Sequence, residues 1–361
     1  RVATFWGTWE VIMTGKVICI REKGKAVLEE CPVPEPGPGE VLIENDYTVI
    51  SAGTERANLV ALPNTGTCPG GYSGREKGGF PFWPGYCGAG RIVKPGREVE
   101  AFRPGVRVIV SWGGHRTHSV KKAAELVRID DERIDTLDAS FAHIASFAFL
   151  GVRKLRLEVG ESVMIAGQGI LGVFALQFAA LSGAIPLFAS DFDPARRKLA
   201  LELGATAAFV PDETLAERVM AATGGAGVNA AVEVTGSAKA LQQALEYIAW
   251  EGRISLLGCT RISDVPIDFY KYVHRRGITL IGAHTSTRAK TESAPGRWTE
   301  QDDYRTFLKL VAAGRLKIRP LISEIVSPER APEVYARLAD DPKVPLGIVF
   351  DWAKIRRGES W

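Results

Sequence analysis

The stretch VMIAGQGILGVFALQFA, residues 163–179, decides the fold of this chain. A short apolar run enters a glycine-rich turn at Gly167, Gly169 and Gly172 and leaves as an apolar stretch of helical length. Glycine permits the tight turn, lets backbone approach a pyrophosphate and allows close helix packing, while the N–H groups at the start of the helix attract phosphate. Such a pattern is weak alone, but here the strand before it and the helix after it supply the required context. Gly167, Gln168, Gly169, Ile170, Leu171 and Gly172 are therefore the expected cradle of a dinucleotide. The next strand, IPLFASD, ends in Asp191, 24 residues beyond Gly167 and near the usual spacing of about 20. A carboxylate there accepts hydrogen bonds from the adenosine ribose and repels a 2′-phosphate, which favours NAD. Arg196 and Arg197 keep NADP open, and Asp193 before Pro194 reads equally as a helix N-cap.

Working outward, the chain after Asp138 alternates helical text with short apolar strands: ESVMIAG, IPLFAS, AAFV, VNAAVEV, RISLLG and ITLIGA. Six strands joined by crossover helices predict an α/β unit with a doubly wound parallel sheet. Before that, from Val17 to about Val127, runs such as EVLIEND, GRIVKPG and GVRVIVSWGG are broken by Gly and Pro and show almost no helical period. This half reads as mostly β. Within it, Ala61 to Tyr86 is too rich in Gly and Pro for regular structure and is expected to be a lid-like loop. Beyond His284 a polar stretch leads to a helix expected over Tyr304–Ala313, and the terminal LGIVFDW is expected to rejoin the β domain. The expected domains are 13–143, 144–283 and 284–361, the last completing the first. Two domains also suit a length of 361 residues.

Forty-five Lys and Arg against 42 Asp and Glu leave a net charge of +3, too small and scattered for a nucleic-acid face. No apolar run reaches the roughly 18 residues of a membrane span. Residues 1–12 lack the pattern of a secretory signal, so Met13 is the expected start and the cytoplasm the expected compartment. The five cysteines, Cys19, Cys31, Cys68, Cys87 and Cys259, are odd in number and widely spaced, which argues against a disulfide framework.

The order of parts, together with EPGPGEVLIEN, GTER, PGYCGAGRIV, LEVGESVMIAGQGILG, EVTGSAKAL, GRISLLG and LISEIVSPERAPEVYARL, resembles the medium-chain dehydrogenase/reductases. The resemblance covers nearly the whole chain from Met13 and implies a GroES-like, mostly β catalytic domain beside a Rossmann domain. It adds Thr235 and Gly258 to the expected cofactor contacts and implies a homodimer paired through the nucleotide-domain sheet near Arg253 to Cys259. Zinc-dependent members carry a ligand cysteine in a C-G-T-D-like stretch and a ligand histidine in G-H-E. The matching positions here are Ala52 and Tyr86, the carboxylate after the histidine is Cys87, and counting back from Gly167 puts Ala142 at the third ligand. Val108 to Val127 also lacks the cysteines of a structural zinc lobe. Zinc wants three ligands from Cys, His, Asp or Glu, so no metal is expected, and a site relocated onto His115, His118 or His143 is the weaker alternative.

By the same resemblance, Thr54 faces the substrate oxygen, Glu55 supports Tyr86, and Tyr86 with His143 handles the proton. A surface helix start at Glu55 and simple packing by Tyr86 are the plainer readings. Trp83, Trp112, Trp298, His284, Arg288 and Arg297 fall in loops expected to border the substrate. Zinc-free members with a GTER-like motif occur among sugar, polyol and cyclitol dehydrogenases and in oxidation of a hydroxyethyl group on bacteriochlorophyll precursors. The leading expectation is NAD-dependent hydride transfer at a secondary alcohol. An NADPH-dependent quinone or enoyl reductase and a non-catalytic nucleotide binder stand as alternatives.

Overall fold

The computed structural model describes residues 2–3, 9–10, 13–67, 79–341 and 345–357. Cys68 and the middle of the expected lid loop lie outside the described residues. The chain divides into two compact units, one of residues 1–143 and 322–361, the other of 144–321.

The second unit is built on six parallel strands in the order Ala207–Phe209, Leu187–Ser190, Val163–Ala166, Val228–Glu233, Ile248–Leu256, Thr279–Gly282. Every residue of Val163–Ala166 and Leu187–Ser190 is buried, as expected of a sheet covered on both faces. The strand order reverses between Val163–Ala166 and Val228–Glu233, and the glycine turn leaves the sheet at that point. Gly167 has φ +94°, a conformation open to glycine at little cost. The helix Ile170–Leu181 then lies so close to the turn that a Cβ on Gly172 would stand 1.9 Å from the Gly167 carbonyl oxygen.

The expected boundary at 284 is corrected: residues 284–321 belong to the second unit. The helix Glu300–Ala312 lays Phe307 edge-on to Phe174, centroids 6.3 Å apart, and Asp303 pairs with Arg153 at 3.1 Å. These contacts hold the segment on the nucleotide-fold core. The helix also begins four residues before the expected Tyr304, because the Thr299 hydroxyl caps it and Glu300, Asp302 and Asp303 complement its N-terminal dipole.

The first unit carries a seven-stranded sheet in which Glu40–Val49 pairs antiparallel with Cys87–Pro95, His118–Lys122 and the C-terminal Gly347–Asp351. Gly347–Asp351 in turn runs parallel to Ile322–Val326. Its core gathers Ile18, Ile20, Ile50, Phe350 and Trp352 with Val334, Tyr335 and Leu338 from the helix Ala331–Asp340. Trp352 is fully buried, and its indole N–H donates to the Thr48 hydroxyl at 2.9 Å. Among the described residues no helix is long and apolar enough to cross a membrane.

The glycine turn gives a direct test. Gly172→Ala forces a methyl onto a carbonyl and is expected to cost about 3 kcal/mol of stability. Gly169→Ala, at φ −70° with nothing within 4 Å of its Cβ, is expected to keep the thermal midpoint of the parent. Thermal unfolding of both variants checks the pair.

Candidate active site

The residues after the strand Glu40–Val49 start the short helix Ala52–Leu59, which carries Thr54 and Glu55. Glu55 is buried at 3% exposure, so its charge must be met inside the fold. Its carboxylate accepts from the Ser51 N–H at 2.8 Å, from His115 Nε2 at 3.2 Å and from the Tyr335 hydroxyl. Burial pushes this carboxyl up, but His115 beside it and the hydrogen bonds from His115, Tyr335 and Ser51 outweigh it and hold Glu55 below the ordinary range. His115 is itself fully buried, with Nδ1 2.8 Å from the Thr48 hydroxyl. A carboxylate only accepts, so Nε2 of His115 carries a hydrogen, and Thr48 meets the other ring nitrogen.

Tyr86 stands in front of this cluster and donates to the Ser51 hydroxyl, with Thr54 also hydrogen-bonded to the phenol. Burial drives the Tyr86 hydroxyl well above its usual range, the neighbouring Cys87 adding to the effect, so the phenol keeps its proton at neutral pH. The His143 ring lies edge-on to Tyr86 at 5.5 Å, and Trp112 contacts both rings at 5.2 and 5.3 Å. Trp112 is 60% exposed and holds φ +55°, a strained backbone for so bulky a residue. Strain of this kind persists where the surroundings impose it, and here it sets an indole over a phenol.

The structure thus brings Thr54, Tyr86 and His143 together, with Glu55 buried behind Ser51. Glu55 grips the Ser51 N–H while the Ser51 hydroxyl meets Tyr86, so its support of the phenol runs through Ser51. Sequence reading missed Ser51 and Tyr335: the first has only its place before Ala52 to mark it, and the second lies 280 residues from Glu55. Ala52, Tyr86 and Ala142, the residues expected at the zinc-ligand positions, offer no Cys, His, Asp or Glu, and among the described residues no group of three His, Cys, Asp or Glu could hold a metal ion. The histidines weighed as replacements are dispersed on separate partners, His115 on Glu55 and Thr48, His118 on Thr117, and His143 against the aromatic rings. The described residues at this site do not fit a catalytic zinc.

In the second unit, Asp191 accepts from the Gln168 N–H at 2.8 Å through one oxygen and from the Asp193 N–H at 2.9 Å through the other. A carboxylate has about four lone-pair sites, so two remain for a ligand. A cavity of about 200 Å³ at the carboxyl ends of the strands is lined by Gly167, Asp191, Phe192, Thr235, Lys239 and Tyr247. Glu233, which sequence reading missed, is buried beneath it, pushed up by that burial, and caps the turn by accepting from the N–H groups of Thr235 and Gly236 at 2.7 and 3.1 Å. Gly258 N donates to the Glu233 carbonyl at 2.8 Å, and Arg196 stands 3.9 Å from the Asp191 carboxylate. Glycine loop, carboxylate and empty-sided Gly169 at a helix N-terminus fit a dinucleotide.

The residues expected at the substrate fall in both units. Trp83 is exposed in the first unit, and His284 is exposed just beyond the last parallel strand. Arg288 is corrected: it is buried, bonded to Glu300 at 2.6 Å and Ser146 at 2.9 Å, and so holds its own unit together. Trp298 is corrected as well, since it stacks on the Arg153 guanidinium at 3.8 Å beside Leu157 and Ser182, near the amino ends of the strands. Cofactor chemistry belongs at the carboxyl ends.

Residues 171–311 match the family described as zinc-binding dehydrogenase. An alcohol dehydrogenase of Rhizobium meliloti (strain 1021) is 30% identical over 323 residues, 78% of this chain and 87% of that protein. D-guloside 3-dehydrogenase of Escherichia coli (strain K12) is 28% identical over 212 residues, 57% of this chain and 59% of that protein. Among solved structures, a zinc-binding-type dehydrogenase from Sinorhizobium meliloti 1021 bound to NADP superimposes with TM-score 0.76 at 21% identity, covering 94% of this chain and 99% of that one. The chain belongs to the zinc-binding dehydrogenase, or medium-chain dehydrogenase/reductase, family. Membership of that family makes it a dehydrogenase-type oxidoreductase.

Glu55→Gln is expected to lower stability by about 3 kcal/mol at neutral pH, because it leaves His115 and Tyr335 facing a weaker acceptor. Since the folded protein holds Glu55 below its unfolded value of about 4.3, that difference is present above pH about 4.3 and disappears as pH falls through the folded value. Denaturant titrations of parent and variant across this range check both the size and the direction.

Proposed function

We propose that this protein is a zinc-independent, NAD-dependent dehydrogenase that interconverts a secondary alcohol and a ketone on a sugar- or cyclitol-like ring. The observation that carries the reading is the Tyr86 phenol, backed by Ser51 and the buried Glu55 cluster where the family's zinc ligands would stand. Oxidation removes a hydride from the alcohol carbon and a proton from its oxygen, and the nicotinamide supplies the hydride acceptor when bound. Alkoxide character builds on that oxygen, and a preorganised donor in a buried site stabilises it. Tyr86 is such a donor, because burial keeps it protonated; it turns its O–H to the substrate oxygen and accepts from Ser51 or Thr54 in exchange. A phenol this reluctant to ionise is a poor base, which leaves proton transfer to the Ser51 and Thr54 hydroxyls and the adjoining His143 imidazole.

The exposed Trp112 indole supports a ring substrate, since sugar-like rings lay their C–H faces on aromatic platforms. The likeness to D-guloside 3-dehydrogenase points the same way. Asp191 supports NAD, with two lone-pair sites left for ribose hydroxyls and a charge that opposes a 2′-phosphate. Arg196 at 3.9 Å is the feature that favours the NADP reading, and affinity for NADPH at or above that for NADH is the outcome that installs it.

The test is Tyr86→Phe, which keeps the ring and removes the hydroxyl. Turnover of a sugar or cyclitol substrate is expected to fall about 100-fold with NADH affinity unchanged. Activity within about threefold of the parent assigns Tyr86 to packing alone. Elemental analysis of the dialysed protein is expected to find no stoichiometric zinc, and one zinc per chain overturns the metal-free part of the reading.

A further inference from the structure

A second cavity, of about 490 Å³, opens in the 144–321 unit away from the glycine turn. That volume falls within the range of small-molecule sites, roughly 300–1,000 Å³. Leu157 precedes the strand Val163–Ala166, and Leu181 and Ser182 end the helix that leads to Leu187–Ser190. The cavity therefore sits at the amino ends of the parallel strands, the edge opposite the one where this fold places a dinucleotide. Its walls are mostly apolar, with Phe149 and Phe178 stacked at 3.6 Å, yet two arginines, Arg153 and Arg156, line it. No acidic side chain is among its described lining residues.

Arg153 is an unusual wall. Its guanidinium is stacked between Trp298 at 3.8 Å and Phe149 at 4.8 Å, and its Nε donates to Asp303 at 3.1 Å. Nη2 is buried with no hydrogen-bond partner among the described residues. A guanidinium has five N–H donors, and among the described residues only Nε of this one has a hydrogen-bond partner. Burial pushes the Asp303 carboxyl up to about 6, and Arg153 pulls against that shift, so the pair stays ionised at neutral pH. Arg156 is exposed at the mouth and holds φ +49° beside Gly296. An apolar chamber with an incompletely satisfied cation in its wall and a second at its entrance selects for an apolar body bearing one negative group.

We propose that this cavity is a second small-molecule site, taking an amphipathic carboxylate whose acid group meets Arg153 and Arg156 and whose hydrocarbon lies along Phe178, Leu181 and Leu310. An aliphatic chain and an aryl ring offer the same chemistry here, so octanoate and 2-naphthoate are the probes and 1-octanol is the uncharged control. Calorimetric titration of the full chain, with and without saturating NADH, is expected to show one carboxylate site whose affinity NADH does not change. At least one of the two carboxylates should bind about tenfold more tightly than 1-octanol, the size of one charge-assisted hydrogen bond. Arg156→Gln, at an exposed position, should remove about that factor, and Ser182→Trp, which fills the mouth, should abolish binding while NADH affinity and the thermal midpoint stay put. Absence of binding for both carboxylates at about 5 mM, equal binding of 1-octanol, competition with NADH, or indifference to both substitutions each overturns the site.

Discussion

The buried charge of Glu55 constrains much of the first unit. A carboxylate withdrawn from water must be met by donors, and Glu55 draws them from three places: Ser51 beside it, His115 in the loop before His118–Lys122, and Tyr335 on the helix Ala331–Asp340. Each donor brings further structure with it. His115 reaches Thr48, Thr48 accepts from Trp352, and Trp352 follows the strand Gly347–Asp351 that closes the sheet against Glu40–Val49. The packing of that core and the orientation of Ser51 are thus consequences of one desolvation problem.

The chemistry proposed for the site follows from what surrounds that carboxylate. A family built around zinc uses the metal to carry negative charge on a reacting oxygen. With alanines at two ligand positions and tyrosine at another, this chain presents a neutral phenol, held by Ser51 and Thr54 and covered by an exposed indole. Trp112, at φ +55°, places that indole beside Tyr86 and His143.

The second unit solves a different problem by a different means. Its strands Val163–Ala166 and Leu187–Ser190 are buried along their whole length, and its function is confined to the edge where helix N-termini and glycines leave backbone groups free. The opposite edge carries no such motif. There a cation stacked between two rings is the feature that stands out, and it is made by residues from the helix Ala142–Leu155 and the stretch before Glu300–Ala312.

Sequence by itself determined the parallel sheet, the glycine turn and the dinucleotide reading, because these rest on local rules: strand, turn and helix are contiguous, and Gly172 is required by a neighbour five residues away. It also supplied the expectation that Ala52, Tyr86 and Ala142 stand at ligand positions, by resemblance to the family's motifs. Only the tertiary structure decided that Glu55 acts through Ser51, that Tyr335 meets it across 280 residues, and that Arg288 and Trp298 serve the second unit's interior and its far edge. The physical reason is that hydrogen-bond satisfaction of a buried charge is settled by whichever donors the fold brings within about 3 Å. Sequence spacing carries no record of that distance.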